Sequence, residues 1–261
     1  MLIHIPAILS SDQVKSVRAA LDKAPWIDGR GSAGHMATST KYNQEADLTD
    51  LSVRAQSDFI LRVLSSHGRF TATALPARIC PPSFNRFSGG QNYGTHNDAA
   101  LLCFQETSAP RWVRTDLAAT LFLAAPEDYD GGELVIEDTF GPVKVKLPAG
   151  DMVVYPASSQ HRVEPVTRGA RIGSFIWLQS LVRDDNHRKW MAQWRSNFLR
   201  HEEYFRSTAT FLQLCGAQQR QQQQRHQYVR LQPDRTLCLD RPAGSALRSP
   251  RGSESGNYWR T

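Results

Sequence analysis

The spacing of apolar residues divides the chain into a helical front, a strand-rich middle and a polar end. Ser10-Ser11-Asp12-Gln13 predicts a helix start, with Ser10 as the cap and Gln13 reaching back to it. Val14, Val17 and Leu21 follow at helical spacing. Asp28 to Gly34 reads as a flexible, glycine-rich loop. A second helix is expected from near Asp50 to Ser66. Leu51, Ala55, Phe59, Ile60, Val63 and Leu64 would form its apolar stripe, and Gly68 would end it.

From about Pro76 the period changes from helix to strand. Ala77 to Phe87 reads as one extended segment, Ser88-Gly89-Gly90 as a turn, and Tyr93 to Asp98 as a further strand. Asp116 to Ala125 predicts a buried strand, and Glu133 to Asp138 a partner that pairs back after the turn Asp128 to Gly132. Val143 to Leu147 alternates as a half-solvated strand does. Met152 to Tyr155 and the long run Arg171 to Val182 complete the set. Asp184 would cap a helix bearing Trp190, Met191, Trp194 and Phe198. Many short strands between Gly/Pro turns predict a mostly β protein with flanking helices and a double-stranded β-helix, or jelly roll, at its core. The expected division is 1–74 helical support, 75–183 jelly-roll domain, 184–217 helical region and 218–261 Gln/Arg-rich tail. The tail is expected to be disordered, because so few grouped apolar residues cannot offset the entropy of ordering the chain.

Composition narrows the class. A hydrophobic share of 40% and a charged share of 21% over 261 residues suit a globular protein. No apolar run approaches the roughly 20 residues needed to cross a bilayer, and the first residues lack a secretory pattern. Cys80, Cys103, Cys215 and Cys238 are scattered, which excludes a zinc ribbon and favours reduced thiols in a cytoplasmic protein without a membrane partner. The tail after residue 200 holds 9 of the 31 Lys+Arg and 5 of the 25 Asp+Glu, hence +4 of the net +6. The first 200 residues are near neutral, with 22 Lys+Arg against 20 Asp+Glu, and the basic tail is expected to be disordered, so nucleic acid is a disfavoured partner.

The candidate chemistry lies in His96-Asn97-Asp98, His161 and Arg171. On a strand, residues i and i+2 share a side, so His96 and Asp98 would face one ion while Asn97 turns away. His161 would arrive from a distant strand. Two imidazoles and a carboxylate on one face, with the opposite face open, form the ligand set of non-heme Fe(II) oxygenases. Taken singly each element has a plainer reading. A lone His-x-Asp is common in surface loops, a lone His is usually a hydrogen-bonded histidine, and a lone Arg is usually a salt-bridge partner. Their order, each at the edge of a strand-like run, is what a double-stranded β-helix requires. Arg171 offers a planar fork suited to a carboxylate. Tyr93 and Trp177 are candidates for the pocket wall and equally for core aromatics. Asn85 and Arg86 are candidates for substrate contact, or for a solvated strand end. Gly131-Gly132 fits a hairpin turn better than a phosphate site.

Longer segments carry a family resemblance. FNRF (84–87), YGTHND (93–98), RTDLAATLFLAAPEDYDGGELVIEDTFG (114–141), VKLPAGDMVVYPASSQHRVEPVTRGAR (145–171) and SFIWLQSLVRDD (174–185) resemble the bacterial PKHD-type hydroxylases of the Fe(II)/2-oxoglutarate dioxygenase superfamily. The likeness runs from the first residues to about residue 200 and is densest from 75 to 185. It implies a double-stranded β-helix, with His96, Asp98 and His161 as ligands of one Fe(II) per subunit and Arg171 as the 2-oxoglutarate anchor. It also implies O2 as second cosubstrate and L-ascorbate as reductant. The implied activity is hydroxylation of a primary substrate with release of succinate and CO2, and no acid–base pair beyond the metal ligands is nominated. The alternative is a non-enzymatic jelly-roll module that senses metal or 2-oxoglutarate. The glutamine-rich tail departs from the ordered helices that the family places after the barrel. The substrate class is left open between a peptide, a free amino acid, a siderophore-like molecule and another small metabolite, and an oligomer is compatible with the family.

Overall fold

The structure is a computed structural model that describes residues 2–33, 37–104, 110–138 and 141–198. In chain order the front contributes β1 (Ile3–Ile5), α1 (Ser11–Leu21), β2 (Trp26–Asp28), β3 (Lys41–Tyr42), β4 (Gln44–Ala46), α2 (Leu51–Ser66) and α3 (Gly68–Ala74). The middle contributes β5 (Pro76–Ile79), β6 (Ser83–Ser88), β7 (Asn92–His96), β8 (Leu101–Phe104), β9 (Arg111–Arg114) and β10 (Leu117–Phe122). There follow β11 (Tyr129–Gly131), β12 (Leu134–Asp138), β13 (Gly141–Val145), β14 (Met152–Pro156), β15 (His161–Val163), β16 (Val166–Ser180) and α4 (Asp185–Phe198).

The strands form two principal antiparallel sheets. The larger runs β1-β14-β10-β16-β6-β4-β2, with β5 and β11 also paired to β16. The smaller runs β13-β12-β15-β7-β3. A separate hairpin joins β8 to β9. One core is shared by both sheets: Phe84, Phe87, Leu117 and Ile172 of the larger are buried in the same cluster as Leu134, Ile136, Val145 and Val163 of the smaller. This is the expected mostly β architecture, a jelly roll with flanking helices.

The front segment is more than a helical support. β1 pairs with β14, β4 with β6 and β3 with β7, so both sheets are extended by strands from before residue 75. Helix α1 begins as expected, with Ser10 accepting from the Gln13 backbone N–H and the Gln13 side chain accepting from the Ser10 backbone N–H. Helix α2 differs. Asp50 caps it by accepting from the backbone N–H groups of Ser52 and Val53, but its buried line is Val53, Ser57, Ile60 and Leu64. Leu51 is 78% exposed and Ala55 is exposed as well. Counting apolar residues alone skipped the small polar Ser57, which the packing accepts at close approach. Gly68 does not end α2. It opens α3, whose first turn is capped by the His67 ring at Phe70 N–H.

Three further boundaries moved. Pro81-Pro82 splits the expected strand 77–87 into β5 and β6, since proline cannot donate to a ladder. The glycine-rich loop after Asp28 is a tight 3-10 turn over Gly29–Ser32, its start capped by the Asp28 carboxylate at Arg30 N–H. The turn expected at Asp128 to Gly132 instead contains β11, paired with the start of β16, and a bulge falls between Asp130 and Gly131. At the far end, Asp184 caps α4 through His187 N–H, but Trp190 is 64% exposed. The Trp194 and Phe198 side chains, residues 199–217 of the expected helical region and the tail 218–261 lie outside the described residues. Among the described residues no helix is long and apolar enough to cross a membrane.

Candidate active site

Strands β7 and β15 lie side by side in the smaller sheet, with His96 and His161 as register partners. Their rings stand 4.2 Å apart. Strand β7 ends at His96, so Asp98 sits just beyond it and not on it. The loop still returns the carboxylate to the histidines, with Asp98 Oδ1 3.8 Å from His161 Nε2. One ligand atom from each of His96, Asp98 and His161 lies within 4.8 Å of the others. Asn97, which also lines the cavity, donates to the Ser158 carbonyl at 2.7 Å and ties the Asp98 loop to the turn before His161.

Backbone carbonyls set the tautomer of both rings. His96 Nδ1 is 2.8 Å from the Gly94 carbonyl and His161 Nδ1 is 3.0 Å from the Ser159 carbonyl. A carbonyl only accepts, so each Nδ1 carries the proton and each Nε2 keeps its lone pair for a ligand. Burial drives the same way. It pushes His96 down to about 4, helped by the neighbouring His161, and it lowers His161 as well. Burial raises the Asp98 carboxyl, against a hydrogen bond from the Trp177 side chain and the nearby His96 that favour its charged form. Asp98 Oδ2 is buried with no hydrogen-bond partner. An unpartnered buried carboxylate oxygen between two neutral imidazole lone pairs is an anionic donor set, and it fits a divalent cation.

Arg171 lies on β16, across from Phe87 of β6. It is 1% exposed, and its guanidinium sits between the Phe87 and Phe122 rings. Its Nη1 makes a long 3.4 Å contact to Asn85 Oδ1, while Nε has no partner among the described residues. Among the described residues no carboxylate pairs with it. Burial pulls its pKa below the ordinary value, yet a guanidinium stays charged at neutral pH. A buried cation without an anion is costly unless a ligand supplies one.

A cavity of about 310 Å³ joins these groups, reached by His96, Asp98, His161 and Arg171 alike. That size suits a small-molecule ligand. Tyr93 and Trp177 both line it. The Tyr93 ring is stacked on His96 at 3.6 Å, and burial raises its hydroxyl to about 12. Asn85 reaches the cavity beside Arg171. Its neighbour Arg86 is on the other strand face, bonded to Gln44 and lying over Trp26, and does not reach the cavity. The glycine pair sits next to the anchor. Gly132, at φ +68°, would place a Cβ 3.2 Å from Arg171 Cδ and 2.8 Å from Val166 Cγ2. Its function is close approach to the arginine.

The sequence reading missed one wall. Lys41, Asn43 and Glu45 line the cavity from the extended segment β3–β4, and Ser32 joins them. Their only signal was alternation of polar residues, which a loop shows equally often.

The chain is similar to known proteins over most of its length. The model of the 2OG-Fe(II) oxygenase superfamily matches residues 82–179. A PKHD-type hydroxylase of Parvibaculum lavamentivorans is 51% identical over 189 residues, covering 72% of this chain and 82% of that protein. A PKHD-type hydroxylase of Stenotrophomonas maltophilia is 45% identical over 216 residues, covering 83% and 95%. The PKHD-type hydroxylase YbiX of Escherichia coli is 42% identical over the same length, with the same two shares. The chain therefore belongs to the PKHD-type hydroxylases of the 2OG-Fe(II) oxygenase superfamily and is a 2-oxoglutarate-dependent dioxygenase.

Proposed function

We propose that the enzyme hydroxylates a primary substrate at the His96–Asp98–His161 centre and releases succinate and CO2. His96 and His161 would hold Fe(II) through Nε2, and Asp98 would supply the anionic ligand. Arg171 would grip the distal carboxylate of 2-oxoglutarate, with L-ascorbate maintaining the reduced metal. A bound Fe(II) supplies the redox chemistry that couples O2 to decarboxylation of a 2-oxo acid and oxidation of a C–H bond.

The chain's own residues supply position and exclusion. The Gly94 and Ser159 carbonyls lock both imidazoles in the ligating tautomer. Arg171 orients the dicarboxylate by a bidentate contact while Phe87 and Phe122 keep water from its faces. Tyr93 holds the His96 ring flat by stacking, and Trp177 donates toward Asp98. The observation that supports the reading is Arg171: fully buried, with no carboxylate partner among the described residues, in the same cavity as three side chains that could hold a metal.

The test is succinate formation by anaerobically loaded protein with Fe(II), ascorbate and 2-oxoglutarate on admission of O2. Uncoupled succinate should appear in the wild type and vanish in His96→Ala and Arg171→Ala. Absence of both 2-oxoglutarate and iron binding in the wild type would sink the proposal.

A further inference from the structure

On the far side of β6 from Arg171, in the same sheet, the cavity has a second polar wall that the proposed metal and 2-oxoglutarate contacts do not use. Lys41, Asn43 and Glu45 are alternate residues of one extended segment and all reach the cavity. Lys41 and Glu45 are buried and joined at 2.5 Å, and Ser32 Oγ bridges them, accepting from Lys41 at 2.6 Å and donating to Glu45 at 2.8 Å. The pair is internally neutralised, so it offers a fully charged group no net attraction. Between them Asn43 is 3% exposed, and neither its Oδ1 nor its Nδ2 has a partner. An idle buried donor and acceptor are costly until a ligand meets both.

Resting on the function proposed above, we infer that Asn43 is a specificity-determining residue that reads an uncharged amide of the primary substrate. The Asn43 carboxamide presents one acceptor and one donor side by side. The complementary group presents a N–H and a C=O together, as a carboxamide, a lactam or one residue of a peptide backbone does. Lys41, with one ammonium proton given to Glu45 and one to Ser32, keeps a third for the same carbonyl. Gly29 leaves room for this arrangement: a Cβ there would fall 1.9 Å from Asn43 Oδ1. The amide would therefore lie against the β3–β4 segment, two strands from Arg171 in the larger sheet.

The experiment is anaerobic equilibrium binding to the Fe(II)- and 2-oxoglutarate-loaded full chain by calorimetry. The probes are 2-pyrrolidinone with its ester counterpart γ-butyrolactone, and N-acetylalanine N-methylamide with methyl O-acetyl-lactate, in which both N–H groups are replaced by oxygen. In the wild type an amide should bind about tenfold tighter than its ester, the worth of roughly one hydrogen bond. Preference in the lactam pair alone points to a small-molecule source, and preference in the peptide pair to a polypeptide. The preference should disappear in Asn43→Leu and in Asn43→Ala, which adds no bulk and so guards against misfolding of the first. Equal affinities within both pairs in the wild type, no binding of any probe, or a preference that survives in a folded Asn43→Ala would overturn the inference. Affinity of the wild type for 2-oxoglutarate, measured in the same cell, reports separately on the functional reading beneath it.

Discussion

His96 and His161 face each other as register partners on neighbouring antiparallel strands, and each ring is fixed by the carbonyl two residues before it. The repeat of one local device at two distant points of the chain leaves two Nε2 lone pairs aimed into one cavity. Ligand orientation is thus built before any ion arrives, which spares the ordering entropy of two side chains on binding.

A divalent ion should raise the melting temperature of the wild type. At a free concentration of about 100 times the dissociation constant the gain is about 2.7 kcal/mol. His161→Ala should abolish that gain when melting is followed anaerobically with Fe(II) or Mn(II). Asp98→Asn should also abolish it while leaving the metal-free protein as stable as before or more so, because it removes a buried carboxylate oxygen without a partner. A metal-free Asp98→Asn protein that melts several degrees lower would assign Asp98 a structural task instead.

Arg171 separates stability from binding in the same way. Arg171→Met fills the space between Phe87 and Phe122 without a charge. It should leave the ligand-free fold at least as stable, yet weaken 2-oxoglutarate by about 2–5 kcal/mol, roughly 30-fold or more. Arg171→Lys should not restore affinity, since an ammonium lacks the fork. Full rescue by lysine in a 2-oxoglutarate titration would refute the bidentate contact.

Gly132→Ala should damage fold and anchor together. The backbone is at φ +68°, and the new methyl would press on Val166, Tyr129 and the Arg171 stem. The expected cost is about 1–3 kcal/mol by urea denaturation. The KM for 2-oxoglutarate should rise as well, and an unchanged KM would show that Arg171 tolerates the displacement.

Ser10→Ala provides the contrast. It removes the reciprocal cap of α1 at a point outside the cavity. Stability should fall by about 1 kcal/mol with 2-oxoglutarate affinity unaltered. A parallel loss of affinity would mean that α1 is coupled to the site.

Much of this molecule is written in local signals. The capping box at Ser10 and the buried run of β10 are legible because each rests on a short-range period or hydrogen bond. His-x-Asp, His161 and Arg171 are legible because few other roles suit those residue types in that order, and the family likeness sharpens them. Other features depended on neighbours that are distant in sequence. The buried side of α2 was decided by what packs on it, so Ser57 lies inside and Leu51 outside. Asn85 and Arg86 are adjacent, yet pleating sends one to the cavity and the other to Gln44 and Trp26. The wall of Lys41, Asn43 and Glu45 exists only because β3 and β4 pair with β7 and β6 and close over the site. Polar alternation carries no burial signal of its own. Chain order and residue type therefore determined the elements and the candidate chemistry, whereas the pairing of remote strands decided which side chains share the cavity, because burial and hydrogen-bond partnership are properties of the assembled sheets.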